Sequence, residues 1–112
     1  MSRLIFSLQE ARALLPRVRA LTADAVIRAD ALAEELQRLP EQDPAHAQLS
    51  DALRDIVNGW ADAVRALGIE VKGLWLVDFD NGDGYYCWQY PEEAITHYHA
   101  YDEAFSGRMK IV

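Results

Sequence analysis

Two histidines near the end of the chain, His97 and His99, have the residue type and the spacing of a metal site. Imidazole is the commonest metal ligand, and residues two apart on a strand leave the same face of the sheet. On a helix, a step of about 100° per residue points them roughly 200° apart. The metal hypothesis therefore requires a strand here, and the cofactor would be a divalent transition metal. The sequence offers four carboxylates to such a site: Asp78, Glu92, Glu93 and Asp102.

The aspartate-rich segment around Asp78, Asp80 and Asp83 invites comparison with a calcium-binding loop. That loop needs oxygen ligands at positions 1, 3 and 5, a glycine at position 6 and a glutamate at position 12. Counting from Asp78, position 5 is Gly82, position 6 is Asp83 and position 12 is Gln89, so the pattern fails. We expect a solvated hairpin turn instead.

Three further residues are candidates for binding: Cys87, Trp88 and Arg108. A single cysteine excludes an intrachain disulfide, and on a sheet face Cys87 is expected to be a small buried side chain rather than a nucleophile. Arg108 is expected to pair internally with Asp78 or Asp102, or to clamp a carboxylate ligand. Trp88 belongs to an aromatic set too large for one face of a small sheet, so the second face is either covered by a partner or is a binding platform.

The first two thirds of the chain, which must support these residues, have the pattern of helices. Ser7 and Glu10 form a capping box, and Pro16 predicts a short first helix at 8–15 followed by a kink or a fresh helix. From Pro16 to Leu39 apolar residues recur at steps of three and four, which indicates one helical stripe. Asp43 and Pro44 begin a second long helix that ends at Gly68, so we predict an antiparallel helical hairpin.

After Gly68 the apolar period changes to two, which is typical of strands. The sequence predicts strands at 74–79 and 85–90, joined by a turn at 80–84 that contains Asn-Gly and Asp-Gly. Residues 94–99 fit a third strand or a helical face, and we favour the strand. The predicted fold is α+β: a short N-terminal helix and a long helical hairpin packed on a three-stranded antiparallel meander. We expect a single domain over 1–112, with a helical part at 7–68 and a sheet part at 69–112.

Composition narrows the classes of partner. The 112 residues carry a net charge of −7, which disfavours nucleic acid and anionic membranes as partners. No stretch approaches the roughly 20 apolar residues of a membrane span, and no signal-peptide core can be drawn. We expect a soluble cytoplasmic protein. The sheet covers one flank of the hairpin, so the uncovered helical stripe predicts a homodimer with a four-helix interface.

The chain as a whole resembles a bacterial family known as domain of unknown function 2203. The matching pieces are FSLQEA (6–11), LLPRV (14–18), GIEVK (68–72), LVDF (76–79), Cys87-Trp88, Ile95, His99, Asp102, Phe105 and Gly107-Arg108. Similar sequences carry a glutamate where this chain has Ala94 and a glycine where it has Ala104. Glu93 is the residue that would substitute in a ligand role at the first of these positions. The resemblance implies no particular activity.

Three functions are compatible with these features. The favoured one is a non-enzymatic binding or assembly protein that acts as a homodimer and recruits a further protein. The alternative is a metal-binding protein or small metal-dependent hydrolase that uses His97, His99, Asp78 or Asp102 and a glutamate. The third is an acidic regulator that binds a basic protein, which rests on net charge alone.

Overall fold

Two long helices form an antiparallel hairpin at one end of an elongated molecule. The structure is a computed structural model and describes residues 4–112. Helix α1 runs over Leu8–Arg38 and helix α2 over Pro44–Ala66. The two pack along each other and are joined by a short loop. The predicted hairpin is confirmed.

The prediction of a separate short first helix is wrong, because α1 continues through Pro16 without a break. Its start is as predicted: Ser7 Oγ accepts from the Glu10 amide at 3.0 Å, and Glu10 Oε1 accepts from the Ser7 amide at 2.9 Å. Proline removes one backbone donor from a helix. Leu15 and Val18, on either side of it, are both buried in the same core, so tertiary packing stabilises one continuous helix despite the missing hydrogen bond.

The second helix begins and ends where the sequence indicates. The Asp43 carboxylate accepts from the Ala45 amide at 2.9 Å, and Pro44 occupies the first helical position. Gly68 ends the helix with φ +85°, a conformation that a residue with a side chain rarely adopts.

The sheet has five strands rather than the predicted three. All neighbours are antiparallel, in the order β1-β2-β3-β4-β5. The bounds are β1 Glu70–Gly73, β2 Leu76–Asp80, β3 Gly84–Gln89, β4 His97–Ala100 and β5 Met109–Lys110, with a 3₁₀ turn at Phe105–Gly107. The two edge strands, β1 and β5, were missed because each depends on pairing with a single neighbouring strand rather than on a local pattern.

The two faces of the sheet have different roles. Val77, Phe79 and Trp88 face the helices and are completely buried in the core. Side chains alternate along a strand, so the residues between them, including Asp78 and Cys87, lie on the opposite face. The β4 strand that the histidine spacing required is present, and it places His97 and His99 on that same face.

The helices carry no membrane-spanning stretch. Within residues 4–112, none of them combines the length and the apolar character that crossing a bilayer requires.

Candidate metal centre

Three adjacent strands bring Asp78, Cys87 and His99 together on the face of the sheet turned away from the helices. Asp78 lies directly opposite Cys87 in the β2–β3 pair, and His99 comes from β4 on the far side of β3. One ligand atom from each residue lies within 4.8 Å of the other two. The residues are only 2%, 1% and 3% exposed, respectively. A carboxylate, a thiol and an imidazole therefore share one small buried volume.

The imidazole of His99 is held by both of its nitrogens. Nδ1 lies 2.9 Å from the backbone carbonyl of Ala100, and Nε2 lies 2.9 Å from Oδ2 of Asp78. A carbonyl oxygen can only accept, so Nδ1 carries a proton and donates it. This is the arrangement that orients metal-binding histidines, in which one nitrogen donates to the backbone and the other faces the ligand site.

Asp78 has a carboxylate oxygen that no described residue satisfies. Oδ2 contacts His99, whereas Oδ1 is buried and has no hydrogen-bond partner within residues 4–112. Burial raises the pKa of Asp78 above its usual range, and the neighbouring His99 only partly opposes this shift. Since buried carboxylate oxygens are almost always paired, Oδ1 can accept an electropositive partner, although the Cys87 thiol also forms a hydrogen bond with this carboxyl group that lowers its pKa.

The thiol of Cys87 is not prepared for nucleophilic attack. Burial, reinforced by the adjacent Asp78 carboxylate, raises its pKa to about 12, although the nearby Arg108 guanidinium acts in the opposite direction. Catalytic cysteines have lowered pKa values and an imidazole or other cation as their immediate neighbour. Because its pKa of about 12 keeps the Cys87 thiol protonated at neutral pH, even with the His99 imidazole and the Arg108 guanidinium close by, the site does not support a Cys-His nucleophile.

A pocket of about 260 Å³ opens onto the cluster. Its outer wall comes from the segment that follows β4 and crosses this face of the sheet. The cluster can therefore be reached from outside although its atoms are buried. The lining residues are Lys72, Leu76, Asp78, Cys87, His99, Glu103, Ala104 and Phe105.

Backbone packing at the start of β3 fixes the position of His99. A Cβ added to Gly84 would lie 2.5 Å from the carbonyl oxygen of His99, so only glycine allows β3 and β4 to approach this closely. Next to it, the ring of Tyr85 lies 5.4 Å from the imidazole. The hydroxyl of Tyr85 lies 3.2 Å from Oε1 of Glu70. The imidazole is thus positioned by neighbours on both sides.

Two of the five predicted metal ligands, Asp78 and His99, are in the cluster, and three are not. His97 shares the strand and the face of His99, but its Nδ1 lies 2.9 Å from the hydroxyl of Thr96. Asp102 is exposed in the segment after β4, and Glu93 is exposed in the loop before it. In the described chain, these three lie outside the group that could hold a metal.

Cys87 joins the cluster although the sequence suggested only a small buried side chain. It is buried as expected, but among polar partners. The predicted turn did not reveal this pairing: counting outward from 80–84 places residue 78 opposite residue 86, whereas the observed register pairs Asp80 with Tyr85 and therefore Asp78 with Cys87.

Arg108 pairs internally, but with Glu92 rather than with Asp78 or Asp102. Its two terminal nitrogens lie 3.1 and 2.9 Å from the two carboxylate oxygens of Glu92. Its guanidinium carbon lies 4.1 Å from the centre of the Phe105 ring. Glu92 is in reach because the turn after β3 brings it back, where it also accepts from the Gln89 amide. Through this ion pair, Arg108 links the segment that follows β4 to the turn after β3, beside the pocket.

The aromatic residues divide between the two faces as the sequence predicted. Trp88 is on the helix side, where its Nε1 donates to the carbonyl of Glu92 at 2.8 Å, so it is a core residue rather than a ligand contact. Tyr85 is on the opposite face and packs edge-on against Tyr101 at 5.1 Å. The chain's own C-terminal segment thus covers part of the second face.

Comparison with known proteins identifies the family. The model of a family described as an uncharacterized conserved protein, DUF2203, matches residues 4–111, and the chain belongs to that family. Neither the curated proteins nor the solved structures contain a match to it.

Proposed function

We propose that this protein binds one divalent transition-metal ion, of which zinc is the best fit, through Asp78, Cys87 and His99. The observation that carries the proposal is the unpartnered Oδ1 of Asp78, 98% buried in the company of a thiol and an imidazole that is already oriented for ligation. The proposal keeps the metal alternative that the sequence raised and replaces His97 with Cys87 in the ligand set.

The donor set selects the class of metal. Thiolate and imidazole favour zinc and related transition metals, whereas magnesium and calcium take oxygen ligands. Tetrahedral zinc with bonds of about 2.0–2.3 Å separates its ligand atoms by roughly 3.3–3.8 Å. The observed separations bracket these values, since Nε2 of His99 lies 2.9 Å from Oδ2 of Asp78 and no ligand atom is more than 4.8 Å from another.

Three protein ligands leave one coordination position open. Structural zinc sites are closed by four protein ligands, whereas sites that bind water or substrate use three. The 260 Å³ pocket adjoins the three ligands, so the open position has room for water or a small donor molecule. This supports a reactive or ligand-binding centre over a purely structural one, and hydrolysis is the reaction class that such a centre serves.

Metal analysis of matched variants tests the proposal. Protein purified without an affinity tag or chelator, and metal-free protein titrated with zinc, are expected to bind one ion per chain. Asp78→Asn, Cys87→Ser and His99→Ala should each lower the zinc affinity at least about tenfold to a hundredfold. His97→Ala is the matched control, since it removes an imidazole from the same strand and face outside the cluster. Equal losses in His97→Ala and His99→Ala would contradict the proposed ligand set.

Cobalt substitution tests the open position separately. A thiolate-to-cobalt charge-transfer band that is lost in Cys87→Ser is the expected sign of the cysteine ligand. Visible bands that shift on adding a small anion indicate an exchangeable fourth position. Bands that do not respond to anions would contradict the open position, while leaving metal binding itself intact.

A further inference from the structure

The half of the helical hairpin farthest from the sheet has an apolar stripe that the chain does not bury. In α1 the last buried residue is Ala29, and in α2 the first is Trp60. We call the region between them, residues 30–59, the distal hairpin. Its large apolar residues recur at helical spacing, yet each stays only partly buried. They are Leu32, Leu36, Leu39, Leu49, Leu53 and Ile56.

A groove of about 460 Å³ lies between the two helices, where the distal hairpin begins. Its floor is apolar, with Leu21, Ile56 and Trp60 among the lining residues. Gly59, in the wall, is inside a helix, where glycine costs about 1 kcal/mol relative to alanine. A Cβ added to Gly59 would meet no atom within 4 Å in the described chain. The fold of the single chain therefore gives no reason for this glycine.

We infer that a second copy of this chain packs its hairpin against this groove, so that the two hairpins form a four-helix bundle around a two-fold axis. In such a bundle the closest approach of the helices requires small residues, which gives Gly59 a role. The half-buried leucines and Ile56 would then become core residues of the bundle.

The available area suits a stable dimer. Helix α2 has 23 residues, which corresponds to about 35 Å at 1.5 Å per residue. Two helices side by side present a strip roughly 20 Å wide, so the face covers roughly 700 Å². A standard protein interface buries about 800 Å² on each partner. One hairpin face is thus close to the size that a second, identical face needs.

The charges in the groove wall are self-complementary. Asp24 and Arg28 line it from α1, and Asp55 lines it from α2. Arg28 lies 3.6 Å from Asp24, with both side chains more than half exposed, so this pair contributes little within one chain. A two-fold axis along the helices places Arg28 against the partner's Asp55. An axis across them that passes midway between Asp24 and Arg28 places it against the partner's Asp24. In either arrangement the guanidinium faces an acid of the second copy.

Sedimentation equilibrium of the metal-free chain tests this inference, which does not depend on the proposed metal centre. The wild type is expected to be a dimer at micromolar concentration. Ile56→Glu places a charge on the groove floor and should raise the dimer dissociation constant at least about a hundredfold. Ile27→Glu is the matched control, because Ile27 is 69% exposed on α1 and does not line the groove. Far-UV circular dichroism verifies that both variants fold.

Gly59→Ala gives a second, independent readout. Alanine favours the helix, so thermal stability extrapolated to the monomer should rise while dimer affinity falls. A monomeric wild type at micromolar concentration would overturn the inference. So would a dimer that survives both Ile56→Glu and Gly59→Ala, since the contact would then lie elsewhere on the chain.

Discussion

Binding of zinc to the metal-free protein at pH 7 is expected to release about two protons. One comes from Cys87, because a thiol with a pKa of about 12 is protonated at this pH and ligates as a thiolate. The other comes from the His99–Asp78 pair. Nδ1 of His99 keeps its proton on the Ala100 carbonyl, so the 2.9 Å contact between Nε2 and Oδ2 holds a second one. That proton must leave before Nε2 can bind a metal.

The direction and size of the pH dependence follow from this count. Because zinc binding releases protons, the zinc affinity rises with pH, by a factor of ten per released proton for each pH unit. Two protons correspond to about a hundredfold per unit near neutrality, or about 2.7 kcal/mol at 1.36 kcal/mol per proton. The increase of zinc affinity with pH becomes less steep only at pH values where one of the two groups has already lost its proton in the metal-free protein.

Isothermal titration calorimetry in buffers of different ionisation enthalpy measures the count directly. The observed enthalpy plotted against buffer ionisation enthalpy has the number of released protons as its slope. Cys87→Ser should lower the slope by about one wherever residual binding can be followed, and His97→Ala should leave it near two. Stoichiometric zinc binding with no proton release would refute the ligand set, because both protonated groups lie inside it.

Three further predictions concern stability, measured as the free energy of unfolding in urea. Trp60→Phe should lower the free energy of unfolding by about 1–2 kcal/mol, because it removes the buried 2.8 Å hydrogen bond from the indole to the hydroxyl of Thr22. If the variant lost no more stability than a substitution at an exposed site, this reasoning would be contradicted. Ser7→Ala should cost about 1 kcal/mol through loss of the capping box, and Ser7→Asp should recover most of it. Gly84→Ala should lower the free energy of unfolding by at least about 1–3 kcal/mol, because its Cβ would collide with the carbonyl of His99. The same variant should also weaken zinc binding. An unchanged stability would mean that β3 and β4 separate easily.

The sequence predicted those parts of the fold that depend on local chemistry. The caps at Ser7 and Asp43, the end of α2 at Gly68 and the hairpin turn all follow from side chains that act on nearby backbone. Pro16 shows the limit of such rules, because buried neighbours on both sides outweigh the hydrogen bond that it removes. The edge strands β1 and β5 were not predicted for a related reason, since their pairing is imposed by β2 and β4.

The candidate metal centre was predictable only in part, because its members meet through strand register. Asp78 and His99 could be named from their residue types and from the alternation of β4. Pairing Asp78 with Cys87 needs the register of the β2–β3 hairpin, and the turn predicted at 80–84 differs from the observed register by one residue. Pairing β3 with β4 needs the path of the longer connection at 90–96, and no local pattern specifies that path. His97 and His99 therefore looked equivalent until the fold separated them.

The three proposed ligands come from consecutive strands, and the outermost two, Asp78 and His99, are only 21 positions apart in the chain. An ion held there would cross-link a compact stretch of the sheet and leave residues 30–59 untouched. Amide hydrogen exchange should then show two regimes within one small protein. Exchange from β2, β3 and β4 slows when zinc is added, while the far ends of α1 and α2 open and close at their own rate. The molecule would thus respond to its ligand at one end and to its own concentration at the other.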